Sequence, residues 1–86
     1  MNFTDLSINI IEIKAEEEKY INLVASVPME INGTEATITF NATTFNTALF
    51  KDIKNCAKKK IPLCCTGYTQ TKEYKGKYYT NVIITE

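Results

Sequence analysis

Apolar residues recur at every second position over much of this chain, and that spacing divides it into strands. From Phe3 to Ile13, Leu6, Ile8 and Ile10 alternate with polar neighbours, then the alternation slips at Ile10-Ile11 and resumes as Ile11 and Ile13. A one-residue slip predicts a bulge, or a strand covered on both faces. Tyr20 to Val27 predicts a second strand, with Ile21, Leu23, Ala25 and Val27 on one face and Tyr20, Asn22, Val24 and Ser26 on the other. Pro28 is expected to close it, and Asn32-Gly33 marks a turn. Thr34 to Phe40 is the third predicted strand, with Ala36, Ile38 and Phe40 on one side.

The period then changes. Phe45, Leu49, Ile53 and Cys56 recur at helical spacing, with Ala48 and Ala57 widening the stripe. Thr43 or Thr44 offers a hydroxyl to cap the first turn. Lys58-Lys59-Lys60 suits the negative end of the helix dipole, and Pro62 bars continuation. A fourth strand begins near Ile61 or Leu63 and a fifth ends at Ile84. Between them the polar tip Lys72 to Lys77 contains Gly76, which supplies permissive dihedrals. Three strands, one helix and a closing hairpin is the order of an OB-fold, a five-stranded Greek-key barrel. The expectation is therefore a mainly β, single OB-fold domain over residues 1–86, with the helix plugging one end. Closure matters at this length, because so short a chain buries only roughly 60–65% of its unfolded surface. A barrel removes most free edges as well.

Charge changes the picture more than composition does. Ten lysines balance ten acids, and a neutral total argues against a polyanionic partner. The total hides a split: residues 1–43 carry seven acids against two lysines, a balance of −5, and residues 44–86 carry eight lysines against three acids, a balance of +5. Such asymmetry permits one basic face. No stretch reads as a signal peptide or approaches the ~20 apolar residues of a membrane span, so a cytoplasmic protein without a membrane partner is expected. Three cysteines, an odd number, fit a reducing compartment better than a disulfide framework.

Several chemistries find no support. Three thiols without histidine are a poor zinc set, so Cys56, Cys64 and Cys65 read as structural cysteines, the adjacent pair pointing to opposite faces. Glu16-Glu17-Glu18 reads as a solvated turn rather than a metal site. With no histidine to act as a base and no nucleophile motif, the chain is not expected to be an enzyme, and no cofactor or metal is expected.

What remains is the last hairpin. Four of the five tyrosines and three lysines lie between Tyr68 and Tyr79. Cations for phosphate and flat rings for bases suit single-stranded nucleic acid. Strand propensity alone also favours tyrosine. Gly67-Tyr68-Thr69-Gln70-Thr71-Lys72-Glu73-Tyr74, followed by Gly76-Lys77-Tyr78-Tyr79-Thr80-Asn81-Val82-Ile83-Ile84, resembles the late signature of bacterial-type single-stranded DNA-binding proteins. Tyr20-Ile21-Asn22-Leu23-Val24-Ala25-Ser26 looks like that family's second strand. Ile38-Thr39-Phe40-Asn41 leading into Phe45 to Lys60 looks like its third strand and helix. The likeness covers about residues 20–85.

The resemblance implies a protein that wraps single-stranded DNA with little sequence preference, in replication or recombination. It places Tyr74 on a stacking aromatic, Lys72 on a phosphate contact and Phe40 on a stacking phenylalanine, although the alternation pairs Phe40 with Ile38 on the core side. Tyr79, Tyr68 and Tyr20 are further candidate platforms, and Lys75 and Lys77 further phosphate contacts. Tyr78 shares a face with Val82 and Ile84 and is drawn towards the core. The chain departs from the family in having Thr34 near the expected stacking tryptophan and no acidic, glycine-rich tail, a minimal form reminiscent of phage or plasmid versions. A homo-oligomer is expected, a dimer being one arrangement. Stacking does not separate DNA from RNA, so RNA stays among the expected ligands. The competing class is a small β-barrel that binds or inhibits another protein, encoded by a mobile element.

Overall fold

A computed structural model of the chain describes residues 2–86, apart from the side chain of Tyr79. Five strands close into a barrel in the order β1-β2-β3-β5-β4: β1 (Asn2–Glu16), β2 (Ile21–Ile31), β3 (Thr34–Thr44), β4 (Leu63–Tyr74) and β5 (Lys77–Ile84). One α-helix, α1 (Phe50–Lys59), lies between β3 and β4. This is the mainly β, OB-fold barrel that the order of patterns predicts.

β1 closes the barrel from both sides. Its first half pairs with β4, from Asn2 opposite Tyr68 to Ile8 opposite Leu63, and its second half with β2, from Asn9 opposite Ser26 to Glu16 opposite Ile21. The slip at Ile10-Ile11 is a bulge, with the register shifting between Ile10 and Glu12 and again between Ile13 and Ala15. The bulges let Ile8, Ile10 and Ile13 all reach the core while Ile11 turns outward. Ile21, Leu23 and Ala25 of β2, Ala42 of β3, Leu63 and Cys65 of β4, and Val82 and Ile84 of β5 complete the interior. Gly67 is required by a close approach: a Cβ there would run into the Ile83 carbonyl oxygen and the Phe3 ring.

Two boundaries differ from expectation. β2 continues through Pro28 to Ile31, because beyond Ser26 it has left β1 and an edge strand tolerates a residue without an N–H. β3 continues past Phe40 to Thr44, so Thr43 and Thr44 are strand residues rather than helix caps. Thr44 is fully buried, donates its hydroxyl to the Ile84 carbonyl (2.8 Å) and accepts from the Asn46 backbone N–H (3.2 Å). Asn46 then caps a short 3-10 turn, Thr47–Leu49, by accepting from the Ala48 N–H at 3.1 Å. α1 places Ile53 and Cys56 in the core and ends at Lys60, which adopts a left-handed conformation. Phe45 therefore belongs to no helix and is 62% exposed, contrary to its assignment to the apolar stripe.

Beyond the barrel the sheet continues as two arms. β2 and β3 stay paired from Ile21/Thr44 to Ile31/Thr34, yet β1 accompanies β2 only to Ser26 and β5 accompanies β3 only over Ala42–Thr44. β4 and β5 likewise stay paired from Gly67/Ile84 to Tyr74/Lys77, while β1 leaves β4 at Tyr68 and β3 meets β5 only over Val82–Ile84. Because β3 and β5 run parallel, both arms leave the same end of the barrel, away from the chain's entry into α1. Each ends in a two-residue turn with both φ angles positive, Asn32-Gly33 and Lys75-Gly76, the geometry that matches hairpin twist. The second turn is tighter than the predicted Lys72–Lys77 tip, since the strands run on through Lys72, Glu73 and Tyr74.

Candidate nucleic-acid interface

Alternation and register decide which side chains share the outer surface. On the β4–β5 arm, Tyr68, Gln70 and Tyr74 stand opposite Ile83, Asn81 and Lys77 on that surface, and Lys72 shares their face. The structure thus brings Tyr74, Lys72, Lys77 and Tyr68 onto one face, with Lys75 in the turn beside them. Tyr74 is 62% exposed, and Lys75 Nζ lies 5.3 Å from its ring centroid, a cation–π contact that occupies one face of the ring. Tyr68 is half-exposed nearer the barrel. The Tyr79 side chain lies outside the described residues.

The remaining predicted residues go elsewhere. Phe40 sits opposite Ala25 on the inward face and packs against the core, so it takes no place on the outer surface. Tyr20 is half-buried, its ring 6.3 Å from that of Phe45 and tilted by 55°. This pair continues the outer face of β2 and β3 beyond Asn22 and Thr43, so an aromatic cluster also stands at the helix-side end of the surface. Tyr78 does share the face of Val82 and Ile84 but is 73% exposed, because its position on the arm lies past the reach of the core. Lys58, Lys59 and Lys60 are exposed at the end of α1, where they complement the helix dipole.

Between the two aromatic ends runs a polar floor that sequence reading did not find. Thr43 Oγ1 donates to Asn22 Oδ1 (2.7 Å) and accepts from Asn81 Nδ2 (3.1 Å), linking β2, β3 and β5. Next to this chain, β3 and β5 part company beyond Ala42 and Val82, and the opening is a hollow of ≈ 260 Å³ lined by Asn41, Gln70, Lys72, Thr80 and Asn81. A second hollow, sharing Asn41 and Asn81, continues past Asn22 and Thr43 to Lys14. Asn41, Thr43 and Asn81 lie 19, 21 and 59 positions from Asn22 in the chain, and only the barrel topology brings them together.

The electrostatics separate by arm. Lys72, Lys75 and Lys77 mark the β4–β5 arm, whereas Glu30 stands directly opposite Glu35 on the outer face of the β2–β3 arm. A polyanion is drawn to the first and repelled by the second. The cysteines take no part: Cys56 and Cys65 are buried and Cys64 is exposed on β4 opposite Ser7, so only two of the three are core residues. Burial, reinforced by the neighbouring Cys64, pushes the Cys65 thiol up to about 11. No family model, curated protein or solved structure matches the chain.

Proposed function

We propose that this protein binds single-stranded nucleic acid across the outer face of the barrel, DNA being the ligand suggested by the resemblance of its late hairpin to single-stranded DNA-binding proteins. The observation that carries the reading is the outer end of the β4–β5 arm: an exposed Tyr74 flanked by Lys72, Lys75 and Lys77, where no described residue from 70 to 81 joins the core. Aromatic platforms take bases of any identity, and the lysines take phosphates. Tyr20 and Phe45 provide a second stacking point at the far end of the same face, so a strand is held at both ends. Protection of exposed strands in replication or recombination is the role such binding serves.

Titration with an oligo-dT tests this. Tyrosine fluorescence is quenched by the oligomer and not by duplex of the same length. With three arm lysines engaged, log K falls with log salt at a slope of about −2, from roughly 0.7 per contact on single strands. Absence of quenching at low salt refutes the reading. A second reading, a protein-interaction module, draws on Met29, Ile31 and Ile38, which lie on the inward side of the β2–β3 arm and are each partly exposed.

A further inference from the structure

We infer that the hollow between the arms reads one base by its edge, so that binding favours a base carrying an exocyclic amine over thymine at one position. The inference rests on the nucleic-acid reading above and departs from it in predicting sequence preference. Three properties of the hollow lead to it.

Its lining comes first. Among the described residues, Asn41, Gln70, Asn81, Thr80 and Lys72 line it with amides, a hydroxyl and one ammonium. Amides, a hydroxyl and an ammonium engage a base by hydrogen bonds to its edge. Tyr74 and the Tyr20–Phe45 pair stand to either side of it, so bases there can stack while the one between presents its edge.

The second property is the orientation of Asn81 at the end of a hydrogen-bond chain. Thr43 has a single hydroxyl proton, and that proton goes to Asn22 Oδ1. Thr43 Oγ1 therefore accepts a hydrogen bond from Asn81 Nδ2, and Asn81 Oδ1 has no partner among the described residues. In this arrangement the chain through Asn22, Thr43 and Asn81 leaves an acceptor beside the hollow. A carbonyl acceptor pairs with the N4 amine of cytosine or the N6 amine of adenine and opposes the O4 of thymine.

Adaptable amides are the third. Asn41 and Gln70 are exposed and make no side-chain hydrogen bond among the described residues, so either can turn its NH₂ towards the ring nitrogen beside that amine. Lys72, on the rim, reaches the phosphate of the same nucleotide. An acceptor with a donor nearby is the pattern an amino base complements.

The experiment compares oligomers that differ at one base. In a dT background the central position is made thymine, cytosine, adenine or unsubstituted purine, and affinities are measured by anisotropy. Cytosine is expected to bind about three- to tenfold tighter than thymine, and adenine to exceed purine by a similar factor, the worth of one neutral hydrogen bond in a site open to water. Since the ratio is the readout, a uniform loss of affinity does not enter. Asn81→Ala brings both ratios to about one, and Asn41→Ala, at an exposed position without partners, lowers them. Equal affinities for all four oligomers overturn the inference and leave the nucleic-acid reading standing. A preference undiminished in folded Asn81→Ala and Asn41→Ala overturns it too, by placing the reader elsewhere. Failure to bind any oligomer removes both.

Discussion

Tyr74→Ala separates binding from folding more cleanly than any other substitution in this chain. Tyr74 stands on an arm that no third strand joins, is absent from the core and is 62% exposed. Truncation removes its cross-strand contact with Lys77, worth about 0.2–1 kcal/mol. It also removes the cation–π contact with Lys75, worth about 0.5–1 kcal/mol at an exposed site. Stability therefore falls by no more than about 2 kcal/mol, and the barrel persists. Binding loses one base–aromatic stack, about 1–3 kcal/mol, so affinity for a labelled dT oligomer drops about tenfold or more in an anisotropy titration. Tyr74→Phe keeps the ring and stays within about threefold of the parent, since the hydroxyl is not needed for stacking. A folded Tyr74→Ala protein that binds as tightly as the parent would remove the β4–β5 arm from the mechanism.

Other expectations concern the scaffold that presents this arm. Gly67→Ala drives a Cβ into the Ile83 carbonyl and the Phe3 ring at the junction of β1, β4 and β5, so thermal melting should show a loss of several kcal/mol or no cooperative fold. Lys75 adopts φ 51°, which costs a residue with an ordinary side chain about 1–2 kcal/mol. Lys75→Asn should accordingly raise the denaturation midpoint while making the salt slope of binding shallower by about 0.7, and a steeper or unchanged slope would exclude Lys75 as a phosphate contact. Cys65 keeps its proton in the folded state up to about pH 11, above its ordinary value of 9.0. Its contribution to stability is present in full below about pH 9 and is lost as pH rises towards 11, so urea midpoints should fall across that window and fall less in Cys65→Ala.

Strand identity and barrel order were legible because period-two alternation survives in every strand that has one face on the core. Even the bulge in β1 was visible, as the slip at Ile10-Ile11. Strand ends were not legible, because they depend on partners distant in sequence. Pro28 looks like a terminator until β1 is known to have left β2 by then. Phe45 fits helical spacing with Leu49, but Thr44 is held in β3 by the Ile84 carbonyl, 40 residues away, and so Phe45 cannot enter a helix. Alternation assigned Tyr78 the correct face and could not say how far the core extends beneath it. The polar floor was the least visible part. Asn22, Asn41 and Asn81 are unremarkable in their own strands and gain meaning only where β2, β3 and β5 meet.

A neutral chain can serve a polyanion because a strand responds to local potential rather than to the total. At physiological salt, exposed charges are screened over about 8 Å, so each arm acts nearly on its own. Lys72, Lys75 and Lys77 give the β4–β5 arm its attraction, and the facing pair Glu30 and Glu35 makes the β2–β3 arm repel phosphate. The Lys54–Glu16 ion pair, 2.7 Å long and half-exposed, offsets part of the helix charge at the other end. For the proposed ligand, repulsion from one arm would be as useful as attraction to the other, since together they would confine a backbone to one side of the cleft between β3 and β5. On the proposed reading, phosphates held there would turn the bases towards the floor of amides and hydroxyls, whose donors and acceptors could tell them apart.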